Sequence, residues 1–376
     1  YRFVFLNESL FSFAGIWEEF ETEKGEIAHT FTVLTTRPNL LTSEIHDRMP
    51  VILKKENEEK WLNLDSSEKD LLAMLSPYPD EEMTKYTVSP MVNQVVNLIQ
   101  GKEKPVLVET GPHSTWKELK SYLNLQGLKP GDLGAVLLTH IHFDHAGSAW
   151  EFANEGVKVF LHPKGLPHLA NPERLWKSAA KIYGDEQMDK LWGPMETIDV
   201  NLLVAVNDNE KVVIEDLTFT AIHSPGHATH HIAWMLEDVI FTGDVGGVKI
   251  TDGPVVPPCP PPDINIEAWK SSIKKILDYH PKELYLTHFG KISKPKEHLS
   301  ELEVIIDDWA MWMKKQFEEG LSAAEITPQF MEYTKQQMID QGVDKNLQKL
   351  YEYANPSWMS VSGLLRYWKL KQENRL

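Results

Sequence analysis

The run His140-Ile-His142-Phe-Asp144-His145 constrains this chain more than any other feature. It follows directly on the apolar stretch Ala135-Val-Leu-Leu-Thr139, which reads as a strand, so four groups able to bind a cation share one loop at a strand's carboxyl end. In α/β sheets that edge is where ligands bind. Burying three imidazoles and a carboxylate with no partner costs on the order of several kcal/mol, and a cation supplies the partner. Three more candidates end strand-like runs downstream: His227 in Ser-Pro-Gly-His, Asp244 in Phe-Thr-Gly-Asp and His288 in Tyr-Leu-Thr-His. Any single one of the 15 histidines is better read as a surface or hydrogen-bonded residue, but seven candidates in this arrangement have no packing rationale.

The surrounding grammar is that of an α/β domain. After residue 95, strands are expected at 104–109, 133–139 and 157–161, with helices at 114–125, 147–154 and 172–191 between and after them. A strand-rich stretch at 211–244, a proline-rich loop at 254–262, a helix at 266–279 and a strand at 283–287 follow. Beyond it Leu302, Ile305, Trp309, Trp312, Met313 and Phe317 recur at helical spacing up to Gly320, and Ser322-Ala-Ala-Glu325 restarts a helix as a capping box. This aromatic stripe reads as core packing. The first ninety residues read as short strands, in 11–17 and 30–36, with a helix at 67–75. The expected division is 1–94, 95–300 and 301–376.

Composition narrows the chemistry. One cysteine, Cys259, allows neither an intrachain disulfide nor a multi-thiolate metal site, so a metal must be held by His, Asp and Glu; a cytoplasmic setting is the matching expectation. With 38 basic against 55 acidic residues the net charge is −17, and no cluster of cations appears, which argues against nucleic-acid and membrane partners. No apolar run is long enough to span a bilayer.

On these motifs, taken in their order, the chain from about 95 to 290 resembles the metallo-β-lactamase-fold hydrolases, and among them the glyoxalase II-like branch. The resemblance implies an αβ/βα sandwich with a C-terminal helical extension. It implies two divalent metal ions, with His140, His142 and His227 holding the first, Asp144, His145 and His288 the second, and Asp244 bridging. Zinc is the expected metal, with iron or manganese as alternatives, because an all-N/O ligand set suits each. Two such ions share a water and lower its pKa to about 7, so the implied function is hydrolysis of a small thioester, ester or lactone by a metal-bridging hydroxide, with Asp144 and Asp244 as catalytic carboxylates. A nucleic-acid phosphodiesterase and a persulfide dioxygenase are alternatives on the same fold. His142, where flavodiiron oxygen reductases carry Glu, favours a hydrolase. Glu109-Thr-Gly111 stands where the family often has Asp-Thr-Gly, which assigns Glu109 a supporting role. His231 reads as a residue behind the ligands; His113, His223 and His230 read as surface or pocket lining. Trp176, Tyr183, Trp192, Trp358, Tyr367 and Trp368 are candidates for an apolar acyl-binding wall.

A second resemblance rests on Phe13-Ala-Gly-Ile-Trp-Glu18, Thr35-Thr-Arg-Pro-Asn39, Ile45-His-Asp-Arg-Met-Pro50 and Val88-Ser-Pro-Met-Val-Asn93. These are similar to the C-terminal half of the SOS-response-associated peptidase (SRAP) family, which binds single-stranded DNA and traps abasic sites through an N-terminal cysteine. By that motif His46 is the active-site histidine and Arg48 its neighbour. Residue 2 is Arg rather than Cys, and the family's upstream half has no counterpart, so no crosslinking is expected from this partial, mostly-β segment. The initial Tyr1 fits a chain whose N-terminal portion is missing. A DNA-damage-binding role led by this segment is the alternative from another class; its 9 basic and 17 acidic residues over 1–92 argue against it.

Overall fold

The computed structural model describes residues 2–5, 12–21, 27–43, 48–63, 65–86 and 97–376. The chain divides into two compact units, Tyr1–Ser89 and Pro90–Leu376.

The first unit is built from antiparallel pairs. Gly15–Glu21 forms a hairpin with Ile27–Val33, and Arg2–Phe5 pairs with Met83–Tyr86. Two-residue strands join Ser12–Phe13 to Ile52–Leu53 and Thr35–Thr36 to Met49–Pro50. Two small apolar clusters hold it, one around Met49, Ile52 and Met83, the other around Ala14, Val51 and Leu53. The expected helix begins at Glu68, where the Ser67 hydroxyl accepts the Asp70 N–H and so satisfies one of the free amides of the first turn.

The second unit holds two sheets. In the first, Val106–Val108, Ala135–Leu137, Val159–Leu161 and Leu203–Ala205 run parallel, with Asn97–Ile99 antiparallel on the edge. Its central strands are uninterrupted apolar runs because both faces are covered. The second sheet orders Lys211–Ile214, Leu217–His223, Ile232–Leu236, Val239–Phe241, Glu283–Leu286 and Gly290–Ile292. Val106, Val108, Ala135 and Leu137 of the first sheet meet Phe219, Ala221 and Trp234 of the second in one buried layer. The outer face of the first sheet is covered by the helices Trp116–Leu125 and Ala149–Asn154. On the second sheet lie Ile266–Asp278 and the long helix Pro295–Glu318. The result is the helix–sheet–sheet–helix sandwich expected from the motifs.

One expected element differs. The segment 172–191 is two helices, Glu173–Tyr183 and Asp185–Leu191, because Gly184 takes φ +83°, a conformation that ends one helix and redirects the chain into the next. The tail carries the capping box at Ser322 and Glu325. Leu302, Trp309 and Met313 are buried, as core packing requires. The last helices also hold the proline-rich loop in place. The Tyr351 hydroxyl accepts the Ile250 N–H at 3.0 Å and donates to the Pro254 carbonyl at 2.6 Å, while Asn355 Nδ2 donates to the Pro257 carbonyl at 3.0 Å. Gly363, in the helix Ser357–Gln372, lies directly against the Cys259 carbonyl, leaving no room for a side chain. Among the described residues, no helix is long and apolar enough to cross a membrane.

Candidate metal centre

Five strand ends converge on one point between the sheets. Glu109 follows Val106–Val108, and 139–145 follows Ala135–Leu137 in the first sheet. His227 follows Leu217–His223, Asp244 follows Val239–Phe241, and His288 follows Glu283–Leu286 in the second. The sheets are tied here by the Ile232 N–H donating to the Thr139 carbonyl at 2.7 Å and the Trp234 indole donating to the Leu138 carbonyl at 2.9 Å. Gly243 precedes Asp244 at φ +53°, and a Cβ there would come within 2.7 Å of Thr139 and His231.

All seven residues singled out as ligands are brought together. Ring nitrogens of His140 and His142 lie 3.0 Å apart, and those of His142 and His227 3.1 Å apart. Beside them Asp144 Oδ2 lies 3.5 Å from His145 Nε2 and 3.4 Å from His288 Nε2. Asp244 faces both groups. Its Oδ1 is 3.2 Å from His145 Nε2 and 3.3 Å from His288 Nε2, while Oδ2 is 3.3 Å from His227 Nε2. His46 falls at residues 44–47, outside the described residues.

The imidazoles are oriented from behind. His227 Nδ1 meets the Pro258 carbonyl at 2.9 Å, and His140 Nδ1 meets the Thr139 hydroxyl at 3.0 Å, so both Nε2 atoms face the cluster. His145 Nδ1 is 3.0 Å from Glu109 Oε1, which also accepts the Thr139 hydroxyl, and Glu109 Oε2 accepts the Thr139 N–H at 3.3 Å. Glu109 is fully buried and holds φ +68°, a strained conformation for a residue with a Cβ. The sequence placed it only in a supporting role; its contacts make it the carboxylate that orients His145 directly and His140 through Thr139. His231 stacks on His140 with centroids 5.1 Å apart and bonds Ser224 through Nδ1.

Charge is unevenly shared across the cluster. Burial, reinforced by neighbouring imidazoles, holds His140 well below its usual range and His142 at about 4; burial also lowers His227. On the other side burial is outweighed. The Asp144, Asp244 and Glu109 carboxylates hold His145 well above its ordinary value, and Asp244 and Asp144 hold His288 at about 9. Despite the same burial, the adjacent histidines keep Asp144 and Asp244 below the usual carboxylate range. His145 Nε2 and Asp244 Oδ1 are nevertheless buried with no hydrogen bond. Such orphaned atoms require an explanation. Imidazole and carboxylate donors converging at this spacing fit divalent cations.

A cavity of about 500 Å³ opens onto the cluster. His142, Asp144, Asp244 and His288 line it with Ile141, Phe143, Tyr183 and Trp192. Of the other aromatic candidates, Trp176 packs edge-on to Phe143 and Trp358 to Tyr183. Tyr367 and Trp368 belong instead to the helical core, where the Tyr367 hydroxyl bonds Glu267 and the Trp368 indole donates to the Ala310 carbonyl. His113 pairs with Glu151 and His223 with the Val206 carbonyl, whereas His230 lines the cavity. Cys259 is buried and burial pushes its thiol up, which leaves it unreactive.

A two-sheet sandwich with histidines and aspartates gathered at its strand ends is the framework of a metal-dependent hydrolase fold. The chain belongs to the metallo-beta-lactamase superfamily, whose family model matches residues 90–288, and the SOS response associated peptidase (SRAP) model matches residues 1–95. The metallo-beta-lactamase fold-containing protein ST1585 of Sulfurisphaera tokodaii is 28% identical over 215 residues, covering 55% of this chain and 77% of that protein. A metallo-beta-lactamase family protein from Thermus thermophilus, TTHA1429, superposes with a TM-score of 0.54 at 20% identity, over 74% of this chain and 88% of that one, a likeness of fold. The abasic site processing protein YoqW of Bacillus subtilis is 42% identical over 110 residues, covering 29% of this chain. The chain spans about half the length of that relative, 47%.

Proposed function

We propose that the protein is a dinuclear metal-dependent hydrolase acting on a small thioester, ester or lactone. One observation carries the reading: the two oxygens of Asp244 address different histidine groups, Oδ2 toward His227 and Oδ1 toward His145 and His288, which suits a carboxylate that would be shared by two cations. In this assignment His140, His142 and His227 hold one cation, Asp144, His145 and His288 the other. The cations, zinc foremost, supply Lewis acidity for a carbonyl and an acidified water. The chain's own residues do the rest. Glu109 and the Pro258 carbonyl hold the Nδ1 sides of His145 and His227, so both Nε2 atoms point into the cluster before any ligand arrives. Ile141, Phe143, Tyr183 and Trp192 form a largely apolar wall that removes water from around a bound acyl group and strengthens the electrostatics at its carbonyl.

Metal analysis of metal-replete protein, with turnover of a panel of thioesters, lactones and bis-p-nitrophenyl phosphate, tests this. About two equivalents per chain and acyl-ester turnover are expected; fewer than one equivalent would sink the reading. Asp244→Ala should abolish turnover with the fold retained by circular dichroism.

The SRAP match favours a second reading, DNA binding by the first unit. A gel shift with single-stranded and abasic DNA separates the two. No shift at physiological salt is expected from a segment with its acidic excess.

A further inference from the structure

The wall of the cavity is not uniform. Its floor is the histidine–aspartate cluster and its middle is apolar, but Lys164, His168 and Arg174 also line it. All three come from one short stretch, which runs from the loop after Val159–Leu161 through the helix Leu166–Ala170 to the start of Glu173–Tyr183. Lys164 and Arg174 are exposed, placing them at the mouth rather than the floor. Neither Lys164 Nζ nor the Arg174 guanidinium has a hydrogen bond or ion pair among the described residues. On the same helix as Arg174, by contrast, Lys177 is paired with Glu173. One carboxylate outside the cluster, Asp263, also lines the cavity, but its Oδ2 is engaged by the Thr229 hydroxyl at 2.9 Å and the Thr229 N–H at 3.2 Å.

We infer that the substrate carries a remote anion, a carboxylate or a phosphate, separated by an apolar spacer from the carbonyl that is attacked. This rests on the hydrolase reading above. A reacting carbonyl at the floor puts an apolar spacer against Phe143, Leu175, Ile182 and Trp192, and the far end of the molecule then meets Lys164 and Arg174. A charged far end gains charge-assisted hydrogen bonds to a lysine and an arginine that have no other partner, and a neutral one does not. Arg174 offers the planar fork that suits either oxyanion, and Lys164 adds a point charge. Because both cations are solvent-exposed, the gain appears as a preference among ligands rather than as tight binding.

The test compares fatty acids with α,ω-dicarboxylates and ω-phosphonocarboxylates of the same chain length. All three have one carboxylate for the metal end, and only the latter two carry a second anion. Binding to metal-loaded, full-length protein is followed by tryptophan fluorescence and calorimetry, since Trp192 lines the cavity. At one chain length the doubly anionic ligand should bind about tenfold tighter than its fatty acid. Carboxylate and phosphonate arms show which anion is preferred. The ratio should fall to near one in Lys164→Gln/Arg174→Gln, and Arg174→Glu should favour the fatty acid. A ratio near one in the wild type, or one that survives in these variants, overturns the inference. Turnover of a neutral p-nitrophenyl ester runs in parallel: anion preference without metal-dependent turnover counts against the hydrolase reading alone, turnover without anion preference against this inference alone, and absence of both overturns the two.

Discussion

Glu109 carries the sharpest test at the scale of single residues. Its left-handed backbone costs about 1–2 kcal/mol for a residue with a Cβ, and its carboxylate is engaged by Thr139, His145 and, at 3.5 Å, the Thr287 hydroxyl. Glu109→Gln keeps the size but presents an N–H where an acceptor is needed, so affinity for the cation beside His145 should drop about 10–100-fold in a competition titration with a chromophoric chelator. Unchanged affinity would remove its orienting role. Proton linkage offers a second test. With no cation present His288 titrates at about 9, above its ordinary 6.5. Its contribution to stability is therefore complete below about pH 6.5 and is lost as pH rises through about 9. Cations entering at neutral pH must displace that proton, so their apparent affinity should rise across the same window. Calorimetry in buffers of different ionisation enthalpy should record the release; metal uptake with no proton release below about pH 8 would contradict it. The seven clustered residues were legible in the sequence because four are packed into one six-residue loop and three end strand-like runs. What Glu109 does was not, since its backbone angle and its partners 30 and 36 residues away leave no local signature.

Among the elements, the periodicity of the tail marks it as helical and leaves its purpose open. Periodicity exposes which face of a helix is buried, and Leu302, Trp309 and Met313 are indeed buried. It does not show that Tyr351, Asn355 and Gly363 grip a proline-rich loop about a hundred residues earlier. Gly363→Ala separates the two levels. Helix propensity alone predicts stabilisation by about 1 kcal/mol. Contact with the Cys259 carbonyl reverses the sign, and a loss of about 1–3 kcal/mol is expected by urea denaturation. A stabilised variant would show that the helix and loop are free to part. Tyr351→Phe strands the Ile250 N–H and the Pro254 carbonyl and should cost about 1–3 kcal/mol in the same assay. The break at Gly184 has no local signature for the opposite reason: an apolar pattern continues through it, and one glycine inside such a pattern is compatible with a continuous helix.

At the scale of the metallo-beta-lactamase unit, the alternation of strands and helices marks an α/β domain and the motif resemblance implies the two-sheet sandwich, but the order of strands within each sheet has no signature in the sequence, because long-range pairing has no period. That layout gives the cations a structural task. His140, His142, Asp144 and His145 stand on the first sheet, and His227, Asp244 and His288 on the second, so on the proposed assignment a loaded site would bridge the halves of the sandwich. Free cation at about a thousand times its dissociation constant would add about 4 kcal/mol to unfolding. Chelation should lower the melting temperature reversibly, whereas an unmoved transition would show that the sheets hold together without it. One contact has a further reach. His227 is aimed by the Pro258 carbonyl, a main-chain atom on the loop that the terminal helices secure. No motif records that atom. A chain assembled by recombination could therefore inherit all seven clustered side chains, exchange its terminal helices for another set, and emerge with an altered cluster while every one of the seven looked intact in its sequence.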